Sequence, residues 1–512
     1  MKKYERKIHA WVCVLLCIIL LSACQPTPST PPLVSRGQGL SEEFIAPVLA
    51  EGEFRQIDAP VRWEEEYIIR DGMLKIYADA EIKCPQVGNI PVIELQQKDF
   101  SNDELRRLTG YFAKDNMLYR IPPLTKERLT IELERIKAKD GDYALPFWSI
   151  DSFELPMNEL IEQAPEYTKK EYINAFSDIQ FDYPAKDERE YVSSRSDDET
   201  IEAQNSFKAF IEKNGIAARI TATNYNTKVG STSCFTYIDG CVVSESDMEE
   251  EQEILNTYSS YESEYLKSFV SDKWLKEKTA WLTKIQGIMN AETISIDLAQ
   301  EQAEKVLVDL GINDMGLASI EKGIVFMSDD YTFFRWDNMN PDINNNPVTT
   351  GYLFTYYRKA GELLAISYGS RPFLNSPTFE SESVTVFVTE KGVQRFEWYN
   401  MAQAINVIAE NTKLLPFDIL KTRVMDYYSF LAQTDFGHEF HIRDVELRLA
   451  NTTAFNAPDR TWLIPVWCIE NRHLTFDATS KSWRFDEMRM FNAITGEFIP
   501  VRMDADGNPE MY

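Results

Sequence analysis

The amino terminus of this chain has the pattern of an export signal. A mostly basic stretch, Lys2–Lys7, precedes an apolar run of 12 residues from Ala10 to Leu21. The run ends in small residues at Leu21-Ser22-Ala23-Cys24, as a signal cleavage site does. It is too short to cross a bilayer as a helix, for which roughly 20 apolar residues are needed. We therefore expect residues 1–23 to be a cleaved signal peptide and the remainder to fold outside the cytoplasm.

The residues at the cleavage point resemble the lipobox of bacterial lipoproteins, in which the cysteine receives a diacylglyceryl group before cleavage. The resemblance implies that Cys24 becomes the lipid-modified amino terminus. Two acyl chains anchor a protein stably, whereas one chain binds only marginally. The alternative is an ordinary secretory signal with a cysteine beside its cleavage site, which would leave the protein unanchored.

Segment 24–40 is predicted to be the lipidated cysteine followed by a tether. Residues 25–32 are polar and rich in proline, and an extended chain of this kind reaches roughly 25 Å at about 3.1 Å per residue. No second apolar stretch of spanning length follows in the sequence. We therefore expect an ectodomain that is held at one end, on the outer face of the cell membrane.

The charge balance bears on the partners of this ectodomain. The formal net charge is −28, and removal of residues 1–23 takes away four basic side chains and one acidic side chain, which leaves −31. Nucleic acids are bound through Lys and Arg patches, so the acidic balance argues against a nucleic-acid partner. With 44% hydrophobic residues the chain has the composition of a globular protein rather than a disordered one.

Four cysteines remain after Cys24, and only Cys234 and Cys241 are close together in the sequence. Asp239-Gly240 between them favours a tight turn. Two alternatives stay open for this pair: a disulfide that closes a hairpin, which export would permit, or two buried free thiols. The chain contains no Cys-x-x-Cys motif, so it offers no sequence support for a redox or zinc-knuckle site.

Apolar residues alternate between strand and helix spacing, which predicts an α+β fold of several small domains, each with antiparallel sheet and packed helices. Leu74–Ile82 alternates with period 2, and Ser101-Asn102-Asp103-Glu104 forms a capping box ahead of a helix. We expect a first α+β domain over 41–185 and a middle domain over 186–290. In the middle domain two further capped helices are expected, one starting near Ser196 with Ile201, Phe207, Phe210 and Ile211 on its apolar side, the other capped by Ser246 with Glu249.

The carboxy-terminal half is predicted to contain two modules, 291–400 and 401–512, each with helix followed by antiparallel strands. The first begins with a helix over Asp297–Leu310, which Gly311 ends. The second begins with two expected helices, Met401–Glu410 and Leu414–Tyr428, ahead of its strands.

These modules resemble the PepSY type, which occurs in secreted protease propeptides and membrane-linked regulatory proteins. The resemblance is carried by the helix Ile296–Ala303, the β-meander after it and the closing segment Asn492–Glu497. The chain is also similar to an uncharacterised family of Firmicutes lipoproteins, a domain of unknown function, through Leu74–Ile82, Asn411–Phe417 and Leu463–Trp467. That family supplies no known catalytic residues, so the resemblance implies a location and a fold rather than an activity.

The histidines His438, His441 and His473 are the densest candidates for a metal site. His438-Glu439-Phe440-His441 is not the zinc motif His-Glu-x-x-His, because its second histidine comes one residue early. On a strand, residues three apart face opposite sides, and nothing in the sequence brings the three histidines together. We therefore predict no metal site, no cofactor and no catalytic residue.

Two function hypotheses follow. The first is a non-enzymatic, membrane-tethered ectodomain that binds or regulates another envelope protein. It rests on the anchor, the PepSY-like modules and the lack of a catalytic motif. The second is a lipoprotein that binds a small ligand or a cell-wall glycan. A hydrolase hidden among the many carboxylates is a third and weaker hypothesis, which a convergence of the three histidines on a metal would favour.

The predicted anchor can be tested by substitution of its cysteine. Cys24→Ala is expected to release the protein from the membrane or to leave it unprocessed, because the thiol that takes the lipid is missing. Membrane fractionation and intact-protein mass measure both outcomes. Normal membrane retention of the Cys24→Ala protein would contradict the assignment.

Overall fold

In the computed structural model the chain forms two compact units. Unit 1 combines the amino-terminal stretch up to Cys84 with 408–446 and 466–499, and unit 2 contains 85–407 and 447–465. The structure describes residues 34–35, 39–120, 125–127, 129–130, 133–134, 151–166, 171–182, 201–213, 218–227, 230–260, 272–291, 294–326, 348–366, 381–433, 436–453, 460–476 and 481–499. The predicted signal peptide and Cys24 lie outside the described residues.

The helices are α1 (Asn102–Ala113), α2 (Asp151–Gln163), α3 (Glu245–Ser260), α4 (Asp272–Met289), α5 (Ile296–Asp309) and α6 (Phe417–Leu431). The strands are β1 (Val34–Ser35), β2 (Gly39–Leu40), β3 (Arg62–Ile69), β4 (Leu74–Lys83), β5 (Val92–Gln97), β6 (Leu118–Arg120), β7 (Glu171–Ile173), β8 (Ile201–Ile211), β9 (Ala218–Thr227), β10 (Gly230–Ile238), β11 (Cys241–Ser244), β12 (Met315–Phe326), β13 (Val348–Ala360), β14 (Leu363–Leu364), β15 (Ser383–Thr389), β16 (Gly392–Tyr399), β17 (Ala402–Ala409), β18 (Gly437–Thr453), β19 (Arg460–Phe476), β20 (Lys481–Asn492) and β21 (Phe498–Ile499).

Unit 2 is built on one large sheet with the strand order β11-β12-β13-β15-β16-β10-β9-β8-β6-β7. Neighbouring strands along this order are antiparallel. At its centre β10 pairs with β16, so that Phe235 lies opposite Trp398. The fold is therefore α+β with antiparallel sheets, as the sequence predicts.

One face of the large sheet is apolar and is covered by α1 and α5. The predicted capping box at the start of α1 is confirmed: Ser101 Oγ accepts from the backbone N–H of Glu104 at 3.2 Å, and the Glu104 carboxylate accepts from the N–H of Ser101 at 2.9 Å. From α1, the Phe112 ring stacks on Tyr237 with 4.5 Å between centroids and lies 5.0 Å from Phe396. The buried side of α5 supplies Ala299, Ala303, Val306 and Leu307 to the same core.

A buried ion pair joins several strands of unit 2. Arg358 Nε on β13 donates to Glu382 at 2.7 Å, and Trp398 Nε1 on β16 donates to the other oxygen of the same carboxylate at 2.8 Å. A second nitrogen of Arg358 donates to the carbonyl oxygen of Ala402 at 2.6 Å. Burial raises the pKa of Glu382, and the charge of Arg358 opposes that rise. One guanidinium therefore fixes the start of β17 relative to the large sheet.

In unit 1, β4 pairs in parallel with β18 and antiparallel with β3. Helix α6 packs on β3 and β19 through Phe417, whose ring meets Trp63 and Trp467 edge-on at centroid distances of 5.9 and 5.4 Å. Lys421 Nζ on the same helix donates to Glu65 at 2.7 Å. The core of unit 1 thus combines residues from both ends of the chain.

Two expected helices are strands, and both predictions are wrong. Residues 201–211 form β8, because Phe207, Ala209 and Ile211 point into the core with period 2 and pair with β9. Residues 402–409 form β17, which lies beside β5 at the end of its sheet. Its β-branched residues favour an extended chain over a helix.

The third capped helix begins elsewhere than expected. Ser246 lies inside α3, and the cap is Ser244, whose hydroxyl accepts from the N–H of Asp247 at 3.3 Å. The Asp247 carboxylate reaches back to the N–H of Ser244 at 2.8 Å. The capping-box chemistry is therefore as predicted, two residues earlier in the chain.

The two units do not coincide with the four consecutive domains that the sequence predicts, 41–185, 186–290, 291–400 and 401–512. Strands from the first three of these ranges share the large sheet of unit 2, and strands from the first and the last pair in unit 1. Strands that are far apart in the sequence pair with each other, so each unit is built from non-consecutive segments of the chain. In the described residues, no helix combines the length and the apolar character that crossing a membrane requires.

The aromatic cluster beneath α1 provides a test of the core of unit 2. Phe112→Ala is expected to lower the free energy of unfolding by about 3–5 kcal/mol, because it removes a buried ring and leaves a cavity. Urea unfolding followed by near-ultraviolet circular dichroism measures the change. Phe430→Ala is the control, since Phe430 is 53% exposed; an equal loss in both variants would contradict the packing described.

Candidate functional site

The second face of the large sheet is lined by polar side chains. Residues directly opposite each other on antiparallel strands project from the same face, so the register defines which side chains share it. A first row runs from β12 to β9 and consists of Ser319, Thr355, Thr385, Glu397, Thr236 and Thr221. A second row runs from β13 to β8 and consists of Tyr357, Ser383, Tyr399, Cys234, Thr223 and Ser206. We call these two rows the polar face.

Strand alternation explains why one sheet has two such different faces. On β10, Cys234 and Thr236 alternate with Phe235 and Tyr237, and the two aromatic residues belong to the core under α1. Successive side chains of a strand point to opposite faces. The strands that build the apolar core therefore also build the polar face.

Glu397 lies near the middle of the polar face and is held by two neighbours. Its carboxylate accepts from Arg395 Nη2 at 2.7 Å and from the Thr385 hydroxyl at 3.2 Å. Next to it, the hydroxyls of Thr221 and Thr236 share a hydrogen bond. Buried Nε of Arg395 finds no hydrogen-bond partner among the described residues. The face thus carries one internally paired charge, several hydroxyl groups and one unused donor.

The side chains of the polar face are either buried or partly exposed to solvent. Glu397 and Thr236 are only 5% and 6% exposed, whereas Thr385, Tyr357 and Tyr399 are half-buried. Three charged groups at the edges of the polar face influence pKa values there. The Asp247 charge on α3 influences the pKa of Arg395, and the charges of Arg448 on β18 and Glu321 on β12 influence the pKa of Tyr357.

Burial sets the protonation of this face. Burial is the main reason that the pKa of the Cys234 thiol rises to about 12, and the Glu397 charge also raises it. Hydrogen bonds with Thr223 lower this pKa, but by less. Burial likewise raises the pKa of Tyr399, and Glu397 adds to that rise. For Arg395, burial lowers the pKa, but the charge of Glu397 and its hydrogen bond more than compensate, so that the net shift is upward.

The reactive groups of this face are either un-ionised or already hydrogen-bonded. A nucleophilic cysteine needs a thiolate, which forms at low pKa beside a cation, and Cys234 is instead a neutral thiol. Glu397 is already engaged by Arg395 and Thr385. Within the described residues, no three His, Cys, Asp or Glu side chains come together as a metal site would need.

The structure brings two of the three histidines together and keeps the third apart. In unit 1, His438 Nδ1 and His473 Nε2 share a hydrogen bond of 2.9 Å, and both side chains are buried. Phe440 stacks on His473 with 4.3 Å between centroids. His441 faces the other side of β18, as expected for a residue three positions away, and contacts Glu439 at 2.7 Å. The pair is part of the core beneath α6, where Tyr428 donates to Asn471 at 2.8 Å.

No disulfide joins Cys234 and Cys241 in the structure. Cys234 lies on β10 opposite Tyr399, whereas Cys241 lies on β11 opposite Phe326. The two strands pair with different neighbours instead of with each other, so the turn at Gly240 does not close the hairpin that a bridge would need.

Sequence reasoning missed the polar face. A signal is present, since Thr221-x-Thr223, Cys234-x-Thr236 and Arg395-x-Glu397-x-Tyr399 each place polar residues at alternate positions. This alternation indicates a polar side for each strand. It does not indicate that the three strands are neighbours.

Comparisons with known proteins add little to this geometry. No protein-family model matches the chain, and no curated protein matches it. Among solved structures, an uncharacterized protein from Eubacterium rectale ATCC 33656 aligns with 85% of this chain and 93% of its own, at 11% sequence identity and a TM-score of 0.36.

The raised pKa of Cys234 predicts slow alkylation. With a pKa of about 12, about 10⁻⁴ of the thiol is ionised at pH 8, against about a quarter of an ordinary thiol. We expect iodoacetamide to modify Cys234 at least roughly 100-fold more slowly in the folded protein than in urea, with about a tenfold rise per pH unit from 8 to 10. Peptide mass spectrometry measures each cysteine separately.

Cys84 is the internal control for this experiment. Burial raises its pKa to about 11, so its thiolate should be about tenfold more abundant than that of Cys234 at the same pH. Alkylation of Cys234 in the folded protein as fast as in urea would show that the polar face is not the environment described.

Proposed function

We propose that this chain is a membrane-anchored, extracytoplasmic binding lipoprotein, and that the polar face of unit 2 binds a small polyhydroxylated ligand such as a cell-wall glycan fragment. The observation that carries the proposal is the pair of transverse rows, in which hydroxyl side chains from neighbouring strands share one face of the sheet.

The chemistry of the polar face favours an uncharged ligand. The charges of Arg395 and Glu397 compensate each other, so this pair, the charge described at the centre of the face, offers neither a cation nor an anion an unpaired opposite charge. Hydroxyl groups both donate and accept hydrogen bonds, which matches the groups of a sugar. Tyr357 and Tyr399 offer ring surface beside them, and ligand sites combine such surface with a few oriented polar groups.

A non-enzymatic role accords with the state of the reactive groups. The Cys234 thiol is neutral because burial raises its pKa, and the Glu397 carboxylate is engaged by Arg395. A general base needs a free carboxylate or imidazole within reach of the substrate. Hydrogen bonding by the polar face requires no such group.

The PepSY-like interpretation and the role at the envelope belong to the same proposal. Helix α5 is followed by the antiparallel strands β12, β13, β15 and β16, and α6 is followed by β18 to β21. This order of elements supports the resemblance of both modules to the PepSY type. Together with the export signal and Cys24, it supports a binding or regulatory ectodomain outside the cytoplasm.

Titration with a defined glycan tests the ligand site. We expect the full-length protein in detergent to bind a tetrasaccharide of N-acetylglucosamine in isothermal titration calorimetry. Thr236→Val with Thr385→Val should weaken binding roughly tenfold or more, because two hydrogen-bonding groups worth about 0.5–1.5 kcal/mol each are removed. Soluble peptidoglycan fragments serve as a second probe.

Thr279→Val is the matched control, since Thr279 is exposed on α4 and its hydroxyl is bonded to the carbonyl of Leu275. A thermal melt of each variant separates loss of binding from loss of folding. Failure of the wild-type protein to bind either probe, or equal binding by the double variant, would reject the proposed ligand site.

A further inference from the structure

Strand β17 has an unusual environment in unit 2. Its residues 403–407 are all exposed, so neither face of the strand is covered by described residues. Two of the exposed residues are apolar: Ile405 is 38% exposed and Val407 is 54% exposed. The strand order places β17 at the end of its sheet beside β5, and no described strand pairs with its outer edge. Among the described residues, the strand therefore presents one edge without a pairing strand and two exposed faces.

The start of this strand is held rigidly. The carbonyl of Ala402 accepts from Arg358, the N–H of Met401 donates to the Ser233 hydroxyl at 3.1 Å, and the carbonyl of Met401 accepts from the N–H of Lys98 at 2.9 Å. Arg358 is itself fixed by buried Glu382. An edge that is already extended and fixed loses little conformational entropy when another strand pairs with it.

The composition of β17 does not protect this edge. Natural edge strands are shielded by charged side chains, proline or bulges. Positions 401–409 contain no charged residue, no proline and no glycine. A strand of this composition is suited to accept an extended segment by strand addition, in which backbone hydrogen bonds supply affinity and alternate side chains supply selectivity.

The net charge of the chain favours one kind of incoming segment over another. A second copy would bring the same formal charge, −31 without residues 1–23, so pairing between copies is opposed by repulsion. A segment with Lys or Arg is attracted by the net negative charge of the chain and associates faster. Ile405 and Val407 lie two positions apart on one face of the strand. Apolar residues at alternate positions of the incoming strand would pack against them.

We infer that residues 403–407 of β17 form a docking edge for an extended, cationic segment of another envelope protein, with apolar residues alternating with Lys or Arg. The segment adds one strand beside β17 and covers Ile405 and Val407. This inference is independent of the ligand proposed for the polar face, because the two sites share no residue.

A peptide of ten residues that alternates lysine and valine is the probe. We expect it to bind the full-length protein in fluorescence anisotropy at least tenfold more tightly than a peptide that alternates glutamate and valine. Hydrogen exchange of the backbone amides in 402–409 should slow when the peptide is bound, since amides on the free edge become hydrogen-bonded. The lysine–valine peptide should bind Ile405→Lys with Val407→Lys at least tenfold more weakly.

The matched control is Leu298→Lys with Val308→Lys, which adds the same charge at exposed positions of α5, 48% and 69% exposed. It should bind the peptide as the wild type does. Equal binding of both peptides, equal weakening in both double variants or unchanged exchange in 402–409 would overturn the inference. So would sedimentation equilibrium that shows a dimer lost in the β17 variant, because the edge would then serve a second copy.

Discussion

The buried contact between Arg358 and Glu382 is the interaction on which much of unit 2 depends. A guanidinium and a carboxylate withdrawn from water are tolerated only when both are well paired. Here Trp398 and the carbonyl of Ala402 complete the pairing. Because these partners lie on different strands, the requirement to satisfy one charge pair fixes where β13, β16 and the start of β17 must be.

Because side chains alternate along each strand, the two faces of the large sheet have different compositions and different roles. Its apolar face packs on α1 and α5 through residues such as Phe235 and Phe396, whereas the other face holds the hydroxyl rows around Glu397. Rigid support by a packed core is what a binding surface made of short side chains requires, since serine and threonine cannot reach far toward a ligand. The core beneath the sheet therefore positions the groups above it.

Local patterns in the sequence predicted much of the secondary structure, and tertiary pairing decided the rest. The capping box at Ser101 and the helix that Gly311 ends depend on neighbours within a few residues, so they could be predicted. Ile201–Ile211 satisfies both helical and strand spacing, and its pairing with β9 decides the outcome. The polar face depends on Cys234 lying opposite Tyr399, and the histidine pair joins residues 35 positions apart. No local pattern contains such pairings.

The parallel pairing of β4 with β18 joins residues 74–83 to 438–446, near opposite ends of the chain. A chain that is synthesised from its amino terminus delivers β4 first, and β18 follows only after more than three hundred further residues. Pairing between such distant segments is slow because a long loop must close first. Until then β4 lacks the neighbouring strand that places His438 beside Leu74 and Phe440 beside Ile76. Unit 1 combines strands from before Cys84 with segment 466–499 near the carboxyl end, so a truncation at the carboxyl end would also unfold strands that lie more than three hundred residues earlier in the chain.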